Sequence, residues 1–248
     1  MPPLVLTFAA SDPTGGAGVQ ADLLTLAALG CHPLSVLTAL TVQDTTGVEQ
    51  LEALDAGLVA RQARRVLAES AVAAFKVGVL GSADNVRAVA AIAAEHVRVP
   101  LVLDPVLASG RGDVLAGDSV LKDLLEFLVP RTTVVTPNTL EARQLGGEKH
   151  LLALGCRYVL VTGTHDAGAE VINRLYDARG LVREDRWPRL PGSYHGSGCT
   201  LASAIAAGLA KGSAVPDAVR AAQEFTWRAL AAGFRTGAGQ SLPNRFFK

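Results

Sequence analysis

Six short apolar runs recur along the chain, and each ends in a cluster of glycine and small polar residues. The runs are Leu4 to Ala10, Ser35 to Val42, Ala74 to Leu80, Pro100 to Val106, Thr132 to Asn138 and Arg157 to Gly163. They are rich in β-branched residues, and most lack polar alternation, which suits strands covered on both faces. Helical patterns lie between them. Val59, Ala63, Val66 and Leu67 share one helix face, and Ser82 is placed to cap a helix running toward Glu95. Leu121, Leu124, Leu125 and Leu128 form a stripe that Pro130 stops. The last two helical stretches begin near Gly198 and Pro216. Such alternation predicts an α/β fold, with a mostly parallel sheet and helices on both faces. Glu170 to Trp187 reads as two strands joined at Arg179-Gly180, an antiparallel hairpin on one sheet edge. With no linker or repeat in view, residues 1–248 read as one domain.

Composition narrows the function classes. Hydrophobic residues make up 49% of the chain, and 23 basic residues balance 23 acidic ones. The balance and the lack of a basic run argue against a nucleic-acid partner. No apolar run approaches the ~18 residues that span a bilayer, and the first residues carry no secretory signal pattern. Cys31, Cys156 and Cys199 are odd in number and widely spaced, which argues against both a disulfide framework and a zinc site. The expectation is a soluble protein of the reducing cytoplasm, without nucleic-acid or membrane partners.

In open α/β sheets ligands bind beyond the carboxyl ends of the strands. Most of the chain's glycine and polar clusters fall there. In Ser11 to Leu23 (SDPTGGAGVQADL), Gly15, Gly16 and Gly18 let backbone approach a ligand. The same segment also reads as a tight strand-to-helix turn with Asp12 as a local cap. Gln43 ends the second run; its amide donates and accepts at once, which suits an aminopyrimidine edge or simply solvent. Asp104, Asn138 and Glu141 follow two later runs. Hard oxygen ligands of this kind hold Mg²⁺ near phosphates, although Asp104 before Pro105 also turns a chain and Asn138 also caps a helix.

The sharpest signal is HGSGCT, residues 195–200. Gly196 and Gly198 leave backbone N–H groups unshielded around Ser197, at the start of a helix with Leu201, Ile205 and Leu209 on one face. A helix N-terminus carries roughly half a positive charge and favours phosphate. Cys199 in the first turn is expected to have a lowered thiol pKa, or else to be a small buried hydrophobe. A cysteine hydrolase using His195 is a weaker reading, because nothing in the spacing requires the two side chains to touch.

Together the segments SDPTGGAGVQADL, ALTVQDTTGV, KVGVLGS, LDPV, TPNTLEA and HGSGCTLASAIAAGLA resemble, in order, the hydroxymethylpyrimidine and phosphomethylpyrimidine kinases of thiamine biosynthesis, within the ribokinase-like superfamily. The resemblance runs from about Leu4 to Leu230. It implies a three-layer α/β/α sandwich, a homodimer, and the use of ATP and Mg²⁺. It implies that Gln43, Asp12, Gly16, Gly18, Val79 and Val106 bind the pyrimidine. Asn138, Thr162 and Gly163 would meet the nucleotide, and Asp104 and Glu141 the metal. Gly196, Ser197, Gly198 and Cys199 would form the anion hole, with Cys199 in the catalytic-base position. Three features depart from the common pattern. Thr162 stands where many members have a lysine, LASGRGD follows DPV with Arg111 as a candidate replacement charge, and the stretch from Glu141 to Leu160 is short.

The resemblance thus implies phosphoryl transfer from ATP to hydroxymethylpyrimidine and to its monophosphate. A pyridoxal or pyridoxine kinase is the neighbouring reading, because that ring is also flat, nitrogenous and hydroxymethylated. A non-catalytic pyrimidine-binding protein is the alternative that Thr162 raises.

Overall fold

A computed structural model describes residues 1–108 and 115–247. Its centre is a nine-stranded sheet; the chain enters at an interior strand, runs out to one edge, and then returns past its first strand to build the other side. Strand β1 (Leu4–Ser11) leads into α1 (Gly18–Ala28), then β2 (His32–Gln43) and β3 (Val48–Ala53). Helix α2 (Ala56–Leu67) returns the chain to β4 (Ala74–Val77), followed by α3 (Ala83–Glu95) and β5 (Leu101–Leu103). Next come α4 (Asp118–Asp123), β6 (Val134–Val135), α5 (Thr139–Gln144), α6 (Gly147–Ala153) and β7 (Tyr158–Thr162). The hairpin β8 (Glu170–Asp177) and β9 (Gly180–Pro188) precedes α7 (Ser197–Ala210) and α8 (Val215–Ala231).

The strand order is β3-β2-β1-β4-β5-β6-β7-β8-β9. Pairing is parallel from β2 through β7 and antiparallel at β2–β3, β7–β8 and β8–β9. The predicted hairpin is therefore present on one edge. The strand β3 on the other edge was not expected. It is short and carries Glu49, Gln50 and Glu52, the polar dress typical of an edge strand.

Alternate residues of the central strands face opposite cores. Leu6, Phe8, Phe75 and Leu103 meet Val59, Val86, Val89 and Ile92 of α2 and α3. Val5, Ala74, Val102 and Val134 meet Leu26 of α1, Ala202 and Ile205 of α7 and Val219 of α8. These two cores make the three-layer α/β/α sandwich. Each large side chain fully buried in this way contributes roughly 1.5–3 kcal/mol. Ser82 caps α3 as expected, accepting from the Asn85 amide. The leucine stripe continues α4 as a wider π turn, Leu124–Leu128, before a 3₁₀ turn that contains Pro130.

A buried charge pair crosses the second core. Lys76 of β4 and Asp22 of α1 are both 0% exposed, with Nζ 2.9 Å from Oδ1. Thr7 and Ser203 also donate to this carboxylate. Among the described residues, no helix is long and apolar enough to cross a membrane.

Candidate active site

Several strands are shorter than the apolar runs that encode them. β4 stops at Val77, β5 at Leu103 and β6 at Val135. The remainder of each run leaves the sheet and becomes the rim of a cleft of about 490 Å³, a size suited to small-molecule ligands. The cleft lies at the carboxyl edge, where β1 has neighbours from opposite directions of the chain, the expected place for a ligand. Asp12, Gly18, Gln43, Val79 and Val106 line it toward β2. Asn138 and Thr162 line it toward β7, and Asp104, Glu141 and Gly196 to Cys199 lie on its wall as well. Two predicted residues sit outside the lining. A side chain at Gly16 would run into His195 and Leu242. Gly163 is tied by its amide to Asn173 Oδ1 at 3.1 Å.

The first glycine loop is organised by Asp12. Its carboxylate accepts from the Thr14 amide at 2.9 Å, the Ala17 amide at 2.7 Å and His195 Nε2 at 2.9 Å. Burial alone would raise the Asp12 pKa. The His195 hydrogen bond, the two amides and the His195 charge outweigh burial and bring it down to about 2. Asp12 thus closes the strand-to-helix turn and lines the cleft, whereas α1 itself has Ala17 as N-cap and no side-chain cap. His195 is committed to Asp12, which disfavours a cysteine–histidine dyad.

The second glycine loop interlocks with the first. Gly196 has φ +81°, and a Cβ there would lie 1.9 Å from the Gly16 carbonyl oxygen. Only glycine permits that approach. Gly196 is also the N-cap of α7, whose first intrahelical bond runs from Thr200 N–H to Gly196 O at 3.0 Å. The amides of Ser197, Gly198 and Cys199 precede that bond, so the helix supplies them no carbonyl partner.

Cys199 is half-buried on the cleft wall. The structure corrects the expectation for its thiol. Burial pushes it up to about 12; Lys76 opposes the rise, and the carboxylates of Asp104 and Asp22 add to it. Desolvation beside two acids outweighs the helix terminus. Lys76 itself stays charged. Burial works against it, yet Asp22, Cys199 and Asp104 hold it above its ordinary range.

Asp104 is 4% exposed, and its Oδ2 has no hydrogen-bond partner among the described residues. Burial raises its pKa to about 6 against the pull of Lys76. Burial, and then Asp104, raise Glu141 to about 7. Asn138 and Glu141 form a capping box on α5: Asn138 Oδ1 accepts from the Glu141 amide, and Glu141 Oε2 from the Asn138 amide, both at 2.9 Å. Among the described residues there is no cluster of three or more metal-ligating side chains. An orphaned Asp104 oxygen with one further carboxylate nearby fits Mg²⁺, which keeps several waters and takes phosphate oxygens. Arg111 lies outside the described residues.

Several residues of the site were not legible in advance. Trp187 and Trp227 stack at the β7 end of the cleft, with ring centroids 6.4 Å apart. Arg189 organises the neighbouring loop through the carbonyls of Thr164, Asp166 and Gly168. Arg245, near the C-terminus, is 4% exposed beneath both glycine loops. Their partners lie far away in sequence, and no local motif marks them.

The phosphomethylpyrimidine kinase family matches residues 12–244. The hydroxymethylpyrimidine/phosphomethylpyrimidine kinase of Streptomyces coelicolor is 45% identical, with 96% of this chain and 92% of that protein covered. The phosphomethylpyrimidine kinase structure from Clostridium difficile is 31% identical with a TM-score of 0.78, covering 90% of this chain and 97% of that one. Bacillus subtilis pyridoxal kinase, solved as an ADP complex, is 29% identical with a TM-score of 0.87, covering 99% and 98%. With its interlocked glycine loops, its cleft at the switch of strand order and these matches over nearly its whole length, the chain belongs to the phosphomethylpyrimidine kinase family.

Proposed function

We propose that this protein transfers the γ-phosphoryl group of ATP to the hydroxymethyl oxygen of 4-amino-5-hydroxymethyl-2-methylpyrimidine, and then a second one to the resulting monophosphate, in thiamine biosynthesis. The observation that carries this reading is the continuity of one cleft. It runs from Gln43 past the first turn of α7 to Asn138 and Thr162. Acceptor and donor can therefore meet over the amides of Ser197, Gly198 and Cys199.

Gln43 reads the donor and acceptor edge of the pyrimidine, between the apolar walls of Val79 and Val106. Asp12, Gly16 and Gly18 shape that end. Asn138 and Thr162 bound the nucleotide end, with Gly163 held behind them by Asn173 and the stacked Trp187 and Trp227 as a flat surface for the base. Phosphoryl transfer has a loose transition state, so positioning and neutralisation of charge dominate the barrier. The α7 amides hold the transferring oxygens, a role in which one donor is worth roughly 10²–10³ in rate. Asp104, with Glu141 behind it, would hold Mg²⁺, which when bound neutralises phosphate oxygens. The hydroxyl proton leaves late. Cys199 accepts that proton in its thiolate form, which the buried Lys76 favours against the effect of burial. The protein acts as a homodimer in the cytoplasm, and Leu40 and Val42, exposed on β2, are apolar surface for that contact.

The test is ADP release with ATP–Mg²⁺ and, in separate arms, hydroxymethylpyrimidine, its monophosphate and pyridoxal. Turnover on both pyrimidines, well above pyridoxal, is expected. Turnover on pyridoxal alone would establish the neighbouring reading, and pyrimidine binding without ADP release would make the protein a binding module.

A further inference from the structure

The C-terminal segment is stitched to three separate parts of the site. The Gln240 amide donates to Thr45 O at 2.9 Å, next to the loop that follows Gln43. The His195 amide donates to Ser241 O at 2.9 Å, at the entrance to α7. Arg245 joins the two glycine loops directly. Its Nη2 donates to Gly16 O at 2.6 Å and its Nε to Thr200 Oγ1 at 3.1 Å. Thr200 Oγ1 in turn donates to Gly196 O at 2.8 Å. The Gly16 carbonyl held by the guanidinium is the same one that Gly196 approaches too closely for any side chain.

A buried cation is costly unless it is paired or fully hydrogen-bonded. No carboxylate ion-pairs with Arg245 among the described residues; its partners are carbonyls and one hydroxyl. A charge kept inside the protein for such partners does more than fasten a tail, which apolar packing would do at less cost. The planar fork fixes two directions at once, and a lysine ammonium does not.

We propose that Arg245 is a positioning residue that sets the spacing between the substrate loop at Gly15–Gly18 and the anion hole at Gly196–Cys199. The proposal rests on the kinase reading above for its kinetic consequence, while its structural consequence can be read without it. A misplacement of about 1 Å between reacting groups can cost on the order of 100-fold in rate.

The experiment compares the full-length protein with Arg245→Lys and Arg245→Gly. Arg245→Lys is expected to lower kcat about 10- to 100-fold while the KM for ATP stays within about two-fold. Guanidinium ion added to Arg245→Gly is expected to restore part of kcat. Backbone hydrogen exchange in Arg245→Lys is expected to quicken together at the hydrogen-bonded amides of the two loops, Gly15, Gly16 and Ala17 on one side and Thr200 on the other. Exchange that quickens only at residues 240–247, with kcat within two-fold of the parent, would overturn the proposal and leave Arg245 as a tail anchor. A parent protein that releases no ADP on any pyrimidine would instead defeat the kinase reading, and the exchange pattern would still decide the role of Arg245.

Discussion

Removing the Lys76 charge leaves a carboxylate stranded in the second core. Asp22 is 0% exposed and is held by three side chains: Lys76, Thr7 and Ser203. Breaking a buried pair by deleting one partner costs about 3–5 kcal/mol. Two hydroxyl donors remain on Asp22, so Lys76→Met should fall at the lower end, about 3 kcal/mol. In a protein of this size that lowers Tm by about 6–12 °C. The double variant Lys76→Met with Asp22→Asn removes the stranded charge. It should recover enough to give a favourable coupling of about 2 kcal/mol in a urea-unfolding cycle. The same charge also acts on the cleft, because Lys76 opposes the rise of the Cys199 thiol. Alkylation of native Lys76→Met by iodoacetamide at pH 9 should therefore be slower than in the parent. Additive single and double variants, or Lys76→Met within about 1 kcal/mol of the parent, would mean that Asp22 does not depend on the Lys76 charge.

Other outcomes follow from the same geometry. Gly196→Ala places a Cβ 1.9 Å from Gly16 O at φ +81°, so the glycine loops must part; kcat should drop about 100-fold or more with the fold retained by circular dichroism. Cys199→Ala should lose about 10²–10⁴ in kcat, Cys199→Asp should keep part of that rate, and near-normal turnover of the alanine variant would make Cys199 a packing residue. Gln43→Ala should raise the KM for the pyrimidine and leave that for ATP unchanged. In metal-free protein, Asp104 has its folded pKa raised to about 6, above its unfolded value. The unfolded chain then ionises first, so this group makes stability fall from about pH 4 to pH 6. Asp104→Asn should remove that decline, and its urea midpoint relative to the parent should rise across the window and then level off.

The sheet was legible because parallel strands buried on both faces read as near-continuous apolar runs, as Leu4 to Ala10 and Tyr158 to Thr162 do apart from Thr7 and Thr162. The same logic hid β3, which is short, polar and at an edge, and α6, whose Gly147-Glu148 start carries no capping signal. The cleft residues could be placed because a strand's carboxyl end is a fixed address in this architecture. What could not be read was pairing across distance. Lys76 meets Asp22 from 54 positions away, and His195 meets Asp12 from 183. The Cys199 thiol was misjudged for the same reason. The helix terminus is a local feature of HGSGCT, whereas the burial that raises the thiol, and the acids that add to it, Asp104 just after β5 and Asp22 of α1, come from distant parts of the chain.

The proposed function places the phosphoryl group in transit on the first amides of α7, between Gln43 and the β7 end of the cleft. It is tested most directly by a crystal structure with ADP, Mg²⁺, aluminium fluoride and hydroxymethylpyrimidine. The fluoroaluminate should lie within hydrogen-bond distance of the Ser197, Gly198 and Cys199 amides, with the pyrimidine edge on Gln43. A fluoroaluminate bound away from that helix terminus, or a pyrimidine seated away from Gln43, would contradict it.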